Sequence, residues 1–150
     1  MPGYFLDSSV WVAFYFPAHP HCAAAEAFLE ERTPRQPAWL ARTVEISVLR
    51  LLSTEAVARA NGLPALTNGQ ASQVLNNWRT NPRVRCLDTE PEGTRELWLR
   101  LADAPAPSPK LWMDAYLAAL AIRAQIPLAT FDVGFRRFTA AGLDLCLLGE

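Results

Sequence analysis

Lysine is nearly missing from this sequence: of 14 basic residues, Lys110 is the only one, and the rest are Arg. With a formal net charge of −1 the molecule is no polycation. Any hold on nucleic acid must come from a local patch or from a metal ion. Cysteine is scarce and unpaired in spacing: Cys22, Cys86 and Cys146 form no CxxC and no Cys/His zinc pattern. That excludes a disulfide framework and a zinc site, and it suits free buried thiols in a reducing, cytoplasmic setting. No stretch reaches about 18 uninterrupted apolar residues, and Asp7 breaks the N-terminal apolar run, so neither a membrane span nor a signal peptide is expected. Repeats and low-complexity tracts are missing too.

What is present is 150 residues, 51% of them hydrophobic. This suits a single domain over residues 1–150 that buries about 68–70% of its unfolded surface. The pattern predicts a strand at residues 3–6, then a helix capped by Ser8 or Ser9 with Trp11, Phe14 and Tyr15 on one face. An amphipathic helix follows over 21–32, then a short strand at 38–40. The apolar residues of a helix over 42–55 wrap most of its circumference, which predicts a buried helix. Thr67 and Gln70 form a capping box for a helix to about residue 80; Thr89 and Glu92 form a second for a helix through 102. Between them residues 83–87 read as a strand. Ser108 and Pro109 stand as N-cap and first position of a helix over 110–125, whose Ala115, Ala118, Ala119 and Ala121 permit close packing on a sheet. A strand at 127–130, a helical turn at 134–138 and a strand at 143–148 end the chain. Alternating strands and helices indicate a mostly parallel sheet covered on both faces.

Of 15 acidic residues, four sit among apolar neighbours: Asp7, Glu45, Asp114 and Asp132. Each has an ordinary explanation. Asp7 and Asp132 suit N-caps after strands, and Glu45 and Asp114 complement helix N-terminal dipoles. Together they suggest more. Two follow strands and two open helices, all at one sheet edge, where like charges repel and raise one another's pKa. A divalent cation resolves that conflict, and oxygen-only ligands select Mg²⁺ or Mn²⁺. Such ions drive phosphodiester cleavage.

The ordered set Leu6-Asp7-Ser8-Ser9-Val10, Thr43-Val44-Glu45, Asp114-Ala115-Tyr116-Leu117-Ala118-Ala119 and Leu128-Ala129-Thr130-Phe131-Asp132 resembles the motifs of the PIN domain, in particular the VapC-type ribonuclease toxins of type II toxin–antitoxin modules. The resemblance covers essentially the whole chain. It implies a three-layer α/β/α fold around a five-stranded, mostly parallel sheet ordered 3-2-1-4-5, and a Mg²⁺- or Mn²⁺-dependent endoribonuclease. It maps Asp7, Glu45, Asp114 and Asp132 onto the family's acidic quartet. Asp7 and Asp114 are the metal ligands it points to first. Asp132 is a direct or water-mediated ligand, and Glu45 acts through water or on a second ion. Ser9 takes a small-polar position and Thr130 a site-orienting one. The implied partners are RNA, a VapB-like antitoxin whose C-terminal segment obstructs the active site, and a second copy of the chain. Trp112-Met113 before Asp114 is bulkier than the family pattern and would narrow the RNA groove or pack.

Weaker signals remain. Lys110, Arg136 and Arg137, with Arg83 and Arg85, are candidate phosphate contacts. Trp11, Phe14, Tyr15 and Phe28 are either core or a groove for a partner helix. His19-Pro20-His21 reads as a turn and helix start rather than a metal pair. A catalytically inactive PIN-like RNA- or protein-binding module is the alternative function, and the intact quartet argues against it. A phosphotransfer protein is disfavoured: an aspartyl phosphatase needs a second Asp where Ser9 stands, and a receiver needs a late Lys after a strand, whereas Lys110 precedes a helix.

Overall fold

Phe5 and Leu6 are both fully buried although neighbouring strand residues point to opposite faces, so the strand they form needs helices on both sides. The computed structural model describes residues 3–149. In it this strand, β1 (Tyr4–Leu6), is the centre of a five-stranded, all-parallel sheet. The others are β2 (Ala38–Ala41), β3 (Val84–Leu87), β4 (Leu128–Thr130) and β5 (Leu145–Leu147), in the order β3-β2-β1-β4-β5. The chain leaves β1 toward β2 and β3 and returns on the other side as β4 and β5. The switch point thus lies between β1 and β4, where ligands of open α/β sheets bind outside the carboxyl ends. Among the described residues no helix is long and apolar enough to cross a membrane.

The helices are α1 (Ser8–Tyr15), α2 (Cys22–Glu30), α3 (Arg42–Leu52), α4 (Glu55–Ala60), α5 (Asn68–Arg79), α6 (Thr94–Leu101) and α7 (Leu111–Ala124), with a 3₁₀ helix over Val133–Ala141. The small residues Ala115, Ala118, Ala119 and Ala121 of α7 are all essentially buried, and the neighbour this helix packs against most extensively is α6. Thr67 and Gln70 make both hydrogen bonds of the expected capping box.

Four local expectations give way. Neither Ser8 nor Ser9 caps α1; Asp7 does, its carboxylate accepting from the Ser8 backbone N–H. The Thr89 capping box does not form, because Gly93 turns the chain through a left-handed conformation (φ 85°) and α6 starts after it. Ser108 does not cap α7, since its hydroxyl donates to the Ala106 carbonyl and the helix begins at Leu111. The helix expected over 42–55 ends at Leu52 and is succeeded by α4; it is not buried all round, Ile46 being 51% exposed. There Ser53 and Thr54 turn their hydroxyls back onto the carbonyls of Leu49 and Arg50, the local competition that makes such residues helix terminators.

Gly3 sets the entry to β1. Its φ is +80°, and a Cβ there would lie 2.0 Å from the carbonyl oxygen of Pro37, the residue that accepts from Tyr4 N–H. Gly3→Ala is therefore expected to cost about 1–3 kcal/mol in backbone strain alone. The melting temperature should fall by roughly 2–12 °C; a calorimetric shift below about 1 °C would contradict this reading.

Candidate active site

The carboxyl ends of β1 and β4 are tied together by side chains. Asp7 Oδ2 accepts from Thr130 Oγ1 (2.8 Å) and Ser9 Oγ (3.1 Å), while Oδ1 accepts from the Ser8 backbone N–H (2.7 Å). Ser9 Oγ in turn accepts from Phe131 N–H, and Thr130 Oγ1 from Asp132 N–H (2.9 Å). Asp132 caps the 3₁₀ helix by accepting from Gly134 N–H (2.8 Å). Both post-strand aspartates are thus N-caps, and both also face one cavity of about 640 Å³. Asp114, in the first turn of α7, lines the same cavity, as do Ser9, Lys110 and Met113.

The electrostatics are those of crowded negative charge. Burial pushes the Asp7 carboxyl up from its usual range; hydrogen bonds from Thr130, Ser9 and Ser8 oppose this, and the Asp132 charge adds to it. Asp114 is pushed up to about 6, first by desolvation and then by Asp7 and Asp132, against the opposing charges of Lys110 and Arg137. Three hard carboxylates repelling one another in one cavity fit Mg²⁺ or Mn²⁺ in charge and donor type. They do not form a closed cage: among the described residues no three His, Cys, Asp or Glu side chains are grouped so as to hold a metal ion.

The Asp114 shift has a stability consequence. Its folded pKa of about 6 lies above its ordinary value of 3.8, so the folded state holds the proton more tightly. Its contribution to stability is complete below about pH 4 and is lost as pH rises through about 6. In EDTA, Asp114→Asn should melt above the wild type at pH 7–8. The gap should close as pH falls through about 6; a gap independent of pH would contradict the raised pKa that burial and the neighbouring carboxylates impose.

Glu45 is placed differently. It is buried on α3 but points to Arg79 (2.9 Å) and Arg42 (3.0 Å), and Arg42 continues to Asp88 (3.1 Å). It does not line the cavity that Asp7, Asp114 and Asp132 share. The cavity face of α3 is instead Ser47, Arg50 and Leu51. Lys110 lines the cavity, and Arg137 acts on Asp114 while lying 5.7 Å from the Phe138 ring centroid. Arg136 lies on the same 3₁₀ helix, outside the cavity lining; Arg83, just before β3, and Arg85 within it do not line the cavity either.

Several wall residues lie outside the sequence reading of the site, among them Arg50, His19 and His21. Arg50 sits on the polar side of a helix that gives no hint of direction. His19 and His21 look like turn punctuation, yet both reach the cavity, and His21 stacks on Phe131 with centroids 4.3 Å apart. Burial and the nearby His21 hold the His19 imidazole below its usual pKa. Only the juxtaposition of residues 110 positions apart reveals this wall.

The aromatic residues of α1 and α2 serve two ends. Trp11, Phe16 and Phe28 are core. Trp11 and Phe14 also pack on Trp78 of α5 and line a separate groove of about 240 Å³ with Leu29, rimmed by Glu26, Glu30 and Arg83. Tyr15 lies against Phe16, outside that groove. Of the bulky pair before Asp114, Met113 lines the acidic cavity, while Trp112 packs edge-on to Trp98, away from it.

Comparison with known proteins agrees with this fold. The family profile described as PIN domain matches residues 4–141. Ribonuclease VapC41 of Mycobacterium tuberculosis is 33% identical over 96% of this chain and 97% of its own length. Among solved structures, VapBC2 from Rickettsia felis, bound to a DNA fragment from its promoter, superposes with a TM-score of 0.67 at 16% identity, covering 99% of each chain. VapC20 from Mycobacterium tuberculosis, a sarcin–ricin loop-cleaving toxin, superposes with a TM-score of 0.59 at 21% identity, covering 94% of this chain and 96% of that one.

Proposed function

The chain belongs to the PIN domain family, and from that premise we propose that it is an endoribonuclease toxin of a toxin–antitoxin pair, hydrolysing RNA phosphodiester bonds with Mg²⁺ or Mn²⁺. The observation that carries this reading is the meeting of Asp7, Asp114 and Asp132 in one cavity at the switch point, with Asp7 and Asp114 both raised in pKa. The relative named a ribonuclease supports the substrate class.

Asp7, Asp114 and Asp132 are the residues that would hold the ion. When bound, such an ion neutralises phosphate charge and supplies an activated water. Thr130 and Ser9 fix the rotamer of Asp7 through its Oδ2. Lys110 and Arg50 bring positive charge to the cavity wall, where a phosphate backbone would pass. Glu45, already paired with two arginines, supports the site by anchoring α3 to α5 through Arg79. The groove of Trp11, Phe14 and Trp78 is the surface we assign to a VapB-like antitoxin, with its acidic and basic rim meeting polar side chains of that partner. We further propose a single domain spanning residues 1–150 that acts in the cytoplasm as a homodimer.

One observation favours a second reading, a non-catalytic PIN-like binding module: among the described residues the carboxylates are not gathered into a closed ligand cage. The two readings part in a simple assay. Antitoxin-free protein should degrade RNA in Mg²⁺, lose that activity in excess EDTA and regain it with Mn²⁺. Equal cleavage in EDTA would overturn the metal mechanism, and no cleavage in either metal would favour the binding module.

A further inference from the structure

We propose that His21, stacked on Phe131 in the wall of the acidic cavity, is a platform on which one nucleobase of single-stranded RNA stacks beside the bond to be cleaved. The proposal rests on the nuclease reading and adds a substrate contact to it. The two rings are nearly parallel, with an interplanar angle of 11° and centroids 4.3 Å apart. His21 is exposed and Phe131 half-buried, so the pair is a flat stack whose outer ring reaches solvent. Both line the cavity that contains Asp7, Asp114 and Asp132.

The platform is held in place from both sides. Phe131 lies between Thr130 and Asp132, and its N–H donates to Ser9 Oγ (3.2 Å), the hydroxyl that also donates to Asp7. The aromatic plane therefore moves with the acids. His21 is fixed by the turn that precedes α2, where its N–H donates to His19 Nδ1 (3.0 Å). Gly149, at φ +82°, passes the pair closely enough that a Cβ there would lie 3.4 Å from Phe131 and 3.5 Å from His21. Single-stranded RNA is bound by stacking bases on such rings, and each stacked base matters substantially and with little regard to sequence.

The test is steady-state cleavage at a single fixed pH, using antitoxin-free protein, Mg²⁺ and a fluorophore–quencher single-stranded RNA 12-mer of randomised sequence. His21→Ala should raise KM by roughly 5- to 150-fold, the worth of one stacked base, with kcat within about twofold. His21→Phe should restore KM and His21→Lys should not. An unchanged KM in His21→Ala overturns the platform and leaves the nuclease reading standing. Rescue by Lys but not Phe also overturns it, in favour of a phosphate contact. If the wild type does not cleave, the nuclease reading fails and the platform falls with it.

Discussion

Asp7→Asn and Asp114→Asn should each cut RNA cleavage by roughly 10²- to 10³-fold, because each removes a charge from the set that would hold the ion, whose contribution to transition-state stabilisation is several kcal/mol. The two variants should fail for the same reason but fold differently. Asp7 is nine-tenths buried and accepts hydrogen bonds on both oxygens. An amide at position 7 would turn an NH₂ toward some of those donors, and a loss of stability accompanies the loss of activity. Among the described residues Asp114 has no such network, and its replacement removes a charge disfavoured by burial and by the Asp7 and Asp132 carboxylates, so Asp114→Asn should be inactive yet no less stable than wild type in EDTA. Asp132→Asn should lose activity too, with a smaller stability cost because its cap to Gly134 needs only one acceptor oxygen. Initial rates on RNA and melting curves on the same preparations separate these outcomes. An Asp114→Asn variant that cleaves at wild-type rate would remove Asp114 from the mechanism.

Trp11→Ala should be the most destabilising single truncation near the site, at about 3–5 kcal/mol. At 1% exposure the indole is core, stacked on Trp78 at 4.9 Å, and its Nε1–H donates to the Leu6 carbonyl. Leu6 is the last residue of β1, immediately before Asp7. Truncation therefore opens a cavity and also strips a buried carbonyl of its partner at the base of the acidic wall. A fall in melting temperature of roughly 6–20 °C is expected. Trp11→Phe keeps most of the volume but not the donor and should lie between. If Trp11→Ala melts within about 2 °C of wild type, Trp11 is a surface residue in solution, and the floor we assign to the partner groove is wrong.

The legible parts of this protein are those that local chemistry decides. A carboxylate after a buried strand announces both an N-cap and a sheet-edge site, and Asp7 and Asp132 turned out to be caps facing one cavity. Alanine spacing announces the buried face of α7, and Thr67 with Gln70 announces the capping box of α5. The illegible parts depend on partners distant in the chain or on one backbone angle. Nothing near Glu45 hints that Arg79, on another helix, will claim it. Nothing near His21 points to Phe131. The Thr89 motif was a good local signal defeated by the left-handed turn at Gly93, and α3 looked buried all round because periodicity reports apolar content, not which sides other elements cover. Direction is what pattern cannot supply, and nothing in the spacing of α3 tells that Arg50 faces the cavity.

The most direct test of the central claim is a crystal structure grown with Mn²⁺ and measured at the manganese edge. The account predicts an anomalous peak in the cavity between the ends of β1 and β4, with carboxylate oxygens of Asp7 and Asp114 at about 2.0–2.3 Å and Asp132 direct or one water away. Glu45 should remain on Arg42 and Arg79. A peak elsewhere, or none at millimolar Mn²⁺ with the three aspartates in place, would contradict it.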